Sequence, residues 1–311
     1  MSGCTQIGKP LISILMAVYE PNLDWLRIQL KSLNAQTYPN LRLYIRDDCS
    51  PTVPFEAIQS CVQDCIAAFP WSFQRNEKNL GSNGTFEQLT QEAEGKLFAY
   101  CDQDDEWLAD KLSALVSAMT PKTTLAYCDL SAIDGEGNTT AKSLRELRPR
   151  LRYVQGKGLS ETYFFRNCSA GCTTLVRSET AKRALPFPKN TVCDQWVAMI
   201  AALEGKIEFV DRPLLRYRIH GGNQTGVLTG VTDKQSYFNR RIAPLRERLA
   251  FYKKYIQPSS ALEAFVSARL NGKVLDLIRY RALSPMEAKF ELAMHVLPRS
   301  LFRWVVRKIL K

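Results

Sequence analysis

The stretch Cys101-Asp102-Gln103-Asp104-Asp105-Glu106 places four carboxylates within the five residues Asp102 to Glu106, directly behind the apolar run Leu97–Cys101. Carboxylates this close repel one another, and beside a buried strand they need a hard cation or a string of hydrogen bonds to neutralise them. Asp-x-Asp offers oxygen ligands suited to Mg²⁺ or Mn²⁺. A divalent ion holding a diphosphate is the economical reading. The plain alternative is the acidic first turn of a helix beginning near Trp107, complementing its dipole. A second acidic pair, Asp47-Asp48, follows Leu41–Arg46 and precedes Cys49-Ser50. Its carboxylates could accept hydrogen bonds from a nucleobase N–H and a ribose hydroxyl, or cap a solvated turn.

These residues need elements to hold them. Leu11–Val18 is a nearly continuous apolar run rich in branched residues, which predicts a strand buried on both faces. After Pro21-Asn22, Leu23, Leu26, Leu30 and Leu33 recur at helical spacing; Tyr38-Pro39-Asn40 breaks the helix, and Leu41–Arg46 forms a second strand. A parallel βαβ unit follows. Helix near Ala57–Ala68, strand near Trp71–Arg75, helix near Phe86–Ala93 and strand at Leu97–Cys101 continue the pattern. The first 130 residues therefore read as an open α/β sheet, and such sheets bind ligands at the carboxyl ends of their strands. No G-x-G-x-x-G follows the first strand, which disfavours a nicotinamide enzyme.

The whole chain has 311 residues, 45% of them hydrophobic, enough for one large or two unequal domains. Its net charge of +11 implies an anionic partner: a nucleotide sugar, a phospholipid surface or nucleic acid. Nine cysteines, odd in number and scattered through strands and helices, suit reduced thiols in a cytoplasmic protein. Cys61/Cys65 and Cys168/Cys172 each enclose three residues, as a zinc site might, but no histidine has finger spacing, so buried thiols are expected. No run reaches the roughly 18 uncharged apolar residues that span a bilayer, and the N-terminus does not read as a secretion signal.

Taken together, Pro10-Leu11-Ile12-Ser13-Ile14-Leu15-Met16-Ala17-Val18-Tyr19, Asp47-Asp48-Cys49-Ser50 and Cys101-Asp102-Gln103-Asp104-Asp105 resemble the nucleotide-binding half of family 2 glycosyltransferases. Asn79-Leu80-Gly81-Ser82-Asn83-Gly84 sits where that family often has an Asn/Gly-rich loop, Thr191-Val192-Cys193-Asp194-Gln195-Trp196 is similar to its acceptor-side motif, and Tyr217-Arg218-Ile219-His220-Gly221-Gly222-Asn223-Gln224-Thr225-Gly226 is similar to its late loop in rhamnosyltransferase-like members. The resemblance covers about residues 8–230. It implies a GT-A fold, an α/β open mixed sheet flanked by helices with a Rossmann-like nucleotide-binding half. The domain expected over 1–230 divides into a nucleotide-sugar half at 8–130 and an acceptor half at 131–230, with a helical basic region at 231–311.

By the same resemblance Asp47 meets the base, Val18 and Tyr19 frame the nucleoside, and Asp48 supports the turn. Asp102 faces the ribose or the metal, and Asp104 binds Mn²⁺ or Mg²⁺ with His220, whose neutral imidazole completes an oxygen-rich site without adding charge. Arg218 is a candidate clamp on the diphosphate or a member of a salt bridge. Asp194 is the expected general base of an inverting transfer, or a helix cap; Trp196 stacks on a sugar or fills core; Gly171 lets backbone approach substrate. Cys49 stands where many relatives have glycine, and the turn is expected to form if Cys49 avoids positive φ. The implied partners are a dTDP-rhamnose or UDP-sugar donor and a glycan or lipid-linked acceptor in surface polysaccharide synthesis.

From Lys234 onward helical patterns dominate. Arg299, Arg303, Arg307 and Lys311 recur every four residues beside the apolar rows Leu301, Val305, Ile309 and Phe302, Val306, Leu310. Such a helix can lie on an anionic membrane interface, here the inner face of the cell membrane, or dock on the protein itself. Two rival functions share some of these features. A haloacid-dehalogenase-type phosphatase would call for threonine where Glu106 stands. A nucleic-acid-binding protein would explain the charge, but no helix-turn-helix, finger or aromatic RNA-binding signature occurs, and Asp102–Glu106 would repel phosphates without a metal, so no nucleic acid is expected.

Overall fold

The computed structural model describes residues 9–149, 151–221, 230–298, 301–303 and 306. They form two compact units: residues 1–160, 167–187 and 193–220 in the first, residues 161–166, 188–192 and 221–311 in the second.

The first unit is a nine-stranded mixed sheet: β1 Ile12–Val18, β2 Leu41–Asp47, β3 Trp71–Arg75, β4 Leu97–Cys101, β5 Glu106–Trp107, β6 Thr123–Ile133, β7 Thr139–Ala141, β8 Thr174–Arg177 and β9 Lys206–Arg218. Their order is β3-β2-β1-β4-β8-β6-β9-β5, with β7 against β6. The β3-β2-β1-β4 stretch is parallel throughout. Parallel strands need crossovers, supplied here by α1 Leu23–Asn34, α2 Phe55–Cys65 and α3 Gly81–Glu92. Because helices cover both faces, β1 and β4 are apolar and buried along almost their whole length, which is why their sequence runs lack alternation. Asn22 starts α1, its side chain accepting from the Asp24 and Trp25 amides, and Leu26, Leu30 and Leu33 bury one face of that helix. Each such leucine contributes about 1.5–3 kcal/mol.

The chain reverses direction across the sheet between β1 and β4. The carboxyl ends of these neighbours thus flank the crevice where open α/β sheets take ligands. Two expected elements differ in extent. The helix expected from Phe86 begins at Gly81, so much of the Asn/Gly-rich segment is its first turn. The helix expected near Trp107 begins at Lys111; Glu106-Trp107 is instead the short strand β5, and no acidic residue lies in that helix's first turn. The first-turn explanation of Asp102–Glu106 therefore fails.

The second unit is helical. Helices Pro244–Tyr252, Ser260–Asn271 and Pro285–Val296 carry it, with a buried ion pair between Arg269 and Glu291 at 2.6 Å, to which the Tyr237 hydroxyl adds a hydrogen bond of 3.0 Å. The segment 161–166 packs here, the Phe165 ring lying 5.2 Å from that of Phe265. No helix among the described residues is long and apolar enough to cross a membrane. Of the basic terminal segment, Arg299, Val305, Arg307, Ile309, Leu310 and Lys311 lie outside the described residues. Phe302 and Val306 are buried with Val231, Tyr237 and Ile242, so that part of the expected membrane-facing apolar row is used by the protein's own core.

Candidate active site

The acidic loop runs from β4 into β5, and β5 pairs antiparallel with the end of β9, setting Glu106 opposite Arg216. Continuing that antiparallel approach brings the next residues of both chains together. Asp105 Oδ1 accepts the Arg218 amide at 3.1 Å, Arg218 Nε donates to the Asp104 carbonyl at 2.9 Å, and His220 Nε2 meets Asp104 Oδ2 at 2.8 Å. Residues more than a hundred positions apart are thus joined by a two-residue strand that no periodicity announces. The His220 ring lies 4.9 Å from that of Trp25, whose indole N–H donates to the Gly135 carbonyl at 3.1 Å.

Electrostatics separate the acids of this loop. Burial, followed by the charges of Asp104 and Asp194, pushes the Asp102 carboxyl up to about 7. Burial, then the charges of Asp102 and Asp104, holds Asp105 well above the usual carboxylate range. Asp105 is fully buried, and its Oδ2 is without a hydrogen-bond partner among the described residues. Carboxylates that are crowded, desolvated and incompletely hydrogen-bonded await positive charge. An oxygen donor from Asp104 beside the His220 imidazole nitrogen, with the Asp102 carboxylate near enough to feel the Asp104 charge, fits Mn²⁺ or Mg²⁺.

Asp194 lies in the first turn of helix Cys193–Glu204 and accepts the Gly171 amide at 2.9 Å. Its charge raises the proton affinity of Asp102, so the two carboxylates lie near one another. Burial raises its own pKa against the backbone bonds from Gly171 and Gln195. Gly171 sits where an added Cβ would come within 3.2 Å of the Asp194 Cβ. The glycine thus allows backbone to approach Asp194. Cys193 N donates to Asn83 Oδ1 at 2.9 Å, tying this helix to the start of α3.

Several expected contacts look different in three dimensions. Arg218 is 1% exposed, and its guanidinium donates to the carbonyls of Asp104, Asp134 and Gly135. It braces the acidic loop against the turn after β6 and is not presented to a diphosphate. Trp196 is fully buried with its indole N–H on the Ala184 carbonyl at 2.8 Å, so it fills core and offers no face to a sugar. Asp47 is fully buried, paired with Arg75 and accepting the Ser50 hydroxyl at 2.6 Å, leaving little capacity for a base. Asp48 accepts from Asn76 and from the Leu80 and Gly81 amides, fixing the start of α3. Cys49 adopts φ 61, so the turn forms without the condition that Cys49 avoid positive φ. Val18 is buried at the end of β1, whereas Tyr19 is 43% exposed. Gln103 bridges both backbone groups of Tyr19, at 2.8 and 3.0 Å, clamping the end of β1 to that of β4. Gln103 and Trp25 escaped the sequence reasoning; the only signal was Gln103's place inside the acidic motif.

Comparison with known proteins agrees with this geometry. The family described as glycosyl transferase family 2 matches residues 13–179, more than half of the chain, and the chain belongs to it. A dTDP-rhamnosyl transferase of Shigella flexneri is 26% identical over 285 residues, spanning 85% of this chain and 91% of that one. A UDP-Glc:alpha-D-GlcNAc-diphosphoundecaprenol beta-1,3-glucosyltransferase of Escherichia coli is 24% identical over 57% of this chain and 64% of its own. Among solved structures, S. aureus TarS residues 1–349 superpose with a TM-score of 0.57 at 14% identity, covering 90% of this chain and 83% of TarS. A mannosyltransferase of Pyrobaculum calidifontis, in complex with GDP-Man and Mn²⁺, gives 0.56 at 16% identity, covering 93% and 80%. The fold is that of the GT-A glycosyltransferases, and the protein is a glycosyltransferase. Family membership replaces the phosphatase alternative.

Proposed function

We propose that this chain is an inverting, divalent-metal-dependent transferase that moves a sugar, rhamnose in the first instance, from a nucleotide diphosphate to a glycan or lipid-linked acceptor in surface polysaccharide synthesis. The observation that carries it is the 2.8 Å contact of His220 with Asp104, next to Asp102, whose proton affinity is raised in part by Asp194. Asp104 and His220, with Asp102, would hold Mn²⁺ or Mg²⁺. Such an ion supplies positive charge for a diphosphate leaving group.

The protein's own groups do the rest. Tyr19, exposed at the end of β1 and held by Gln103, frames the nucleoside, while the turn built on Asp47 and Asp48 presents backbone groups to the base. Asp194 takes the proton from the acceptor hydroxyl as that oxygen attacks the anomeric carbon on the face opposite the leaving group, which inverts the configuration. Its desolvated carboxylate is a stronger base than a free aspartate, and the Gly171 amide fixes its orientation. The dTDP-rhamnose preference rests on the Shigella relative, and the lipid-linked acceptor on the E. coli one. A lipid-linked acceptor would bring a cytoplasmic enzyme to the inner face of the membrane. Unchanged liposome co-sedimentation after deletion of residues 299–311 would remove that segment from the attachment.

The test is release of nucleotide from dTDP-rhamnose, UDP-glucose and GDP-mannose with Mn²⁺ and after chelation. Metal-dependent turnover, abolished in Asp104→Asn and His220→Ala, is expected. Equal turnover in chelator, or in both variants, would overturn the metal assignment, and preference for another donor would overturn rhamnose.

A further inference from the structure

The helical unit carries apolar surface that its own core does not use. Phe302 and Val306 of the terminal segment are buried. On helix Pro285–Val296, by contrast, Met286, Lys289, Ala293 and Val296 follow one another at helical spacing along one side and are all exposed. Three of these four are apolar where a solvated helix face would be polar. Helix Val274–Arg279 packs beside it, burying Leu277 and turning Leu275 and Ile278 outward. Gly272, just ahead of that helix, lies against His295: a Cβ added there would come within 3.2 Å of His295 Nε2, so Leu275 and Val296 belong to the same end of the helix pair. Leu275 is 83% exposed and Val296 82%, so both side chains stand out from the surface instead of lining a groove.

Exposed charge on this face is of one sign. Between residues 271 and 298 the exposed charged residues are Lys273, Arg279, Arg281 and Lys289. The acidic residues of the same stretch are withdrawn: Glu287 accepts the Ser284 hydroxyl, Glu291 is bound to Arg269, and Asp276 is half-buried. We propose that helices Val274–Arg279 and Pro285–Val296 form the face by which this protein lies on an anionic phospholipid surface, Leu275 and Val296 entering the boundary between head groups and acyl chains and the basic residues meeting lipid phosphates. This face deepens the membrane attachment proposed above, on which it rests, and replaces the terminal segment as the point of contact. Shape favours lipid over a protein partner. A partner helix or strand packs closely into a groove or against a flat patch, whereas protruding aliphatic side chains rimmed by cations insert among lipids with no matching surface. Lysine and arginine stems can lie along the acyl boundary while their charged ends reach the phosphates. Each such cation strengthens attachment to an anionic bilayer about fivefold, an effect that salt screens.

The test co-sediments the whole chain with vesicles of phosphatidylcholine alone and of phosphatidylcholine mixed with phosphatidylglycerol, neither containing donor or acceptor. Binding to the mixed vesicles, weakened by salt, and little to the neutral ones is expected. Leu275→Glu with Val296→Glu should lower affinity for the mixed vesicles at least about tenfold. Arg279→Gln with Arg281→Gln should lower it about 25-fold. The melting temperature should stay put in both, because all four side chains are exposed. Parent protein that fails to sediment with the mixed vesicles would overturn the attachment itself. Parent protein that binds, with both double variants binding equally well, would overturn this face alone and leave attachment to another segment. Self-association of the parent in sedimentation velocity, lost in Leu275→Glu with Val296→Glu and unaccompanied by vesicle binding, would make the face an interface between copies and overturn the lipid assignment.

Discussion

Behind β2, Asp47 accepts the Ser50 hydroxyl and the Arg75 guanidinium, and Asp48 accepts the Asn76 amide and two backbone N–H groups. Behind β4, two strands away along the same sheet edge, Asp102 and Asp105 are crowded against Asp104, their proton affinity raised by burial and mutual repulsion, and Asp105 Oδ2 lacks a hydrogen-bond partner among the described residues. Both clusters are acidic and both sit at carboxyl ends of parallel strands, yet the first has exhausted its hydrogen-bonding capacity on its own chain. A carboxylate so satisfied stabilises backbone; one left short of partners has capacity for a ligand. Substitutions should therefore separate the clusters, costing stability in the first and chemistry in the second.

The largest separation is expected at Asp194. Asp194→Asn should lower kcat by about 10²–10⁴, the range for losing a general base, at a stability cost of only about 1 kcal/mol, because the single amide oxygen can still accept from Gly171 while the Gln195 amide loses its acceptor. Burial penalises the charged form of Asp194, so at a given low pH more of it is protonated than of an ordinary aspartate. The acid limb of kcat/KM should accordingly fall at a pH above the usual aspartate range and disappear in the residual activity of Asp194→Asn. A limb at the ordinary aspartate position would place the base elsewhere.

At Arg218 the expected loss is in stability. Arg218→Ala strands the buried carbonyls of Asp104, Asp134 and Gly135, and at about 1–3 kcal/mol for each unsatisfied group, softened by water entry, about 3 kcal/mol is expected from urea unfolding. Were Arg218 a diphosphate clamp instead, the variant would keep its stability and raise KM for the donor. Asp47→Asn tests the saturated cluster. It exchanges a charge-assisted bond to Arg75 for a neutral one; because Arg75 is about one-third exposed, the cost should sit near about 1.5 kcal/mol. A large fall in kcat with unchanged stability would erase the contrast between the clusters.

How much of this was legible follows from the range over which each residue acts. The parallel half could be read because β1, β2 and β4 are short apolar runs punctuated by Asn22 and Pro39, signals carried within the segment itself. The pairing of Asp104 with His220 came from family resemblance, since its physical cause, the pairing of β5 with the end of β9, is a contact between two residues and a distant strand. Arg218 and Trp196 were left between two readings for a related reason. Arginine and tryptophan serve ligands and cores equally well, and only the carbonyls around them, three for Arg218 and Ala184 for Trp196, decide which. Gln103 has no sequence signal beyond its neighbours, because its partners are backbone groups of Tyr19.

The smallest expected effect lies in the turn of the saturated cluster. Cys49 holds φ 61 between Asp48, whose carboxylate grips the start of α3, and Ser50, whose hydroxyl serves Asp47. Left-handed backbone costs a residue with a Cβ about 1–2 kcal/mol, and the hydrogen bonds on either side hold it there. Glycine removes that strain but gives up about 0.5–1 kcal/mol to the greater freedom of its unfolded chain. Cys49→Gly should thus raise stability by about 0.5–1 kcal/mol, measured as a higher urea midpoint with unchanged slope, and leave kcat alone. Cys49→Val, stiffer at its branched Cβ, should lower the midpoint. If glycine destabilises the protein, the Cys49 side chain contributes more than its backbone conformation costs, and the turn behind β2 is held by packing as well as by its carboxylates.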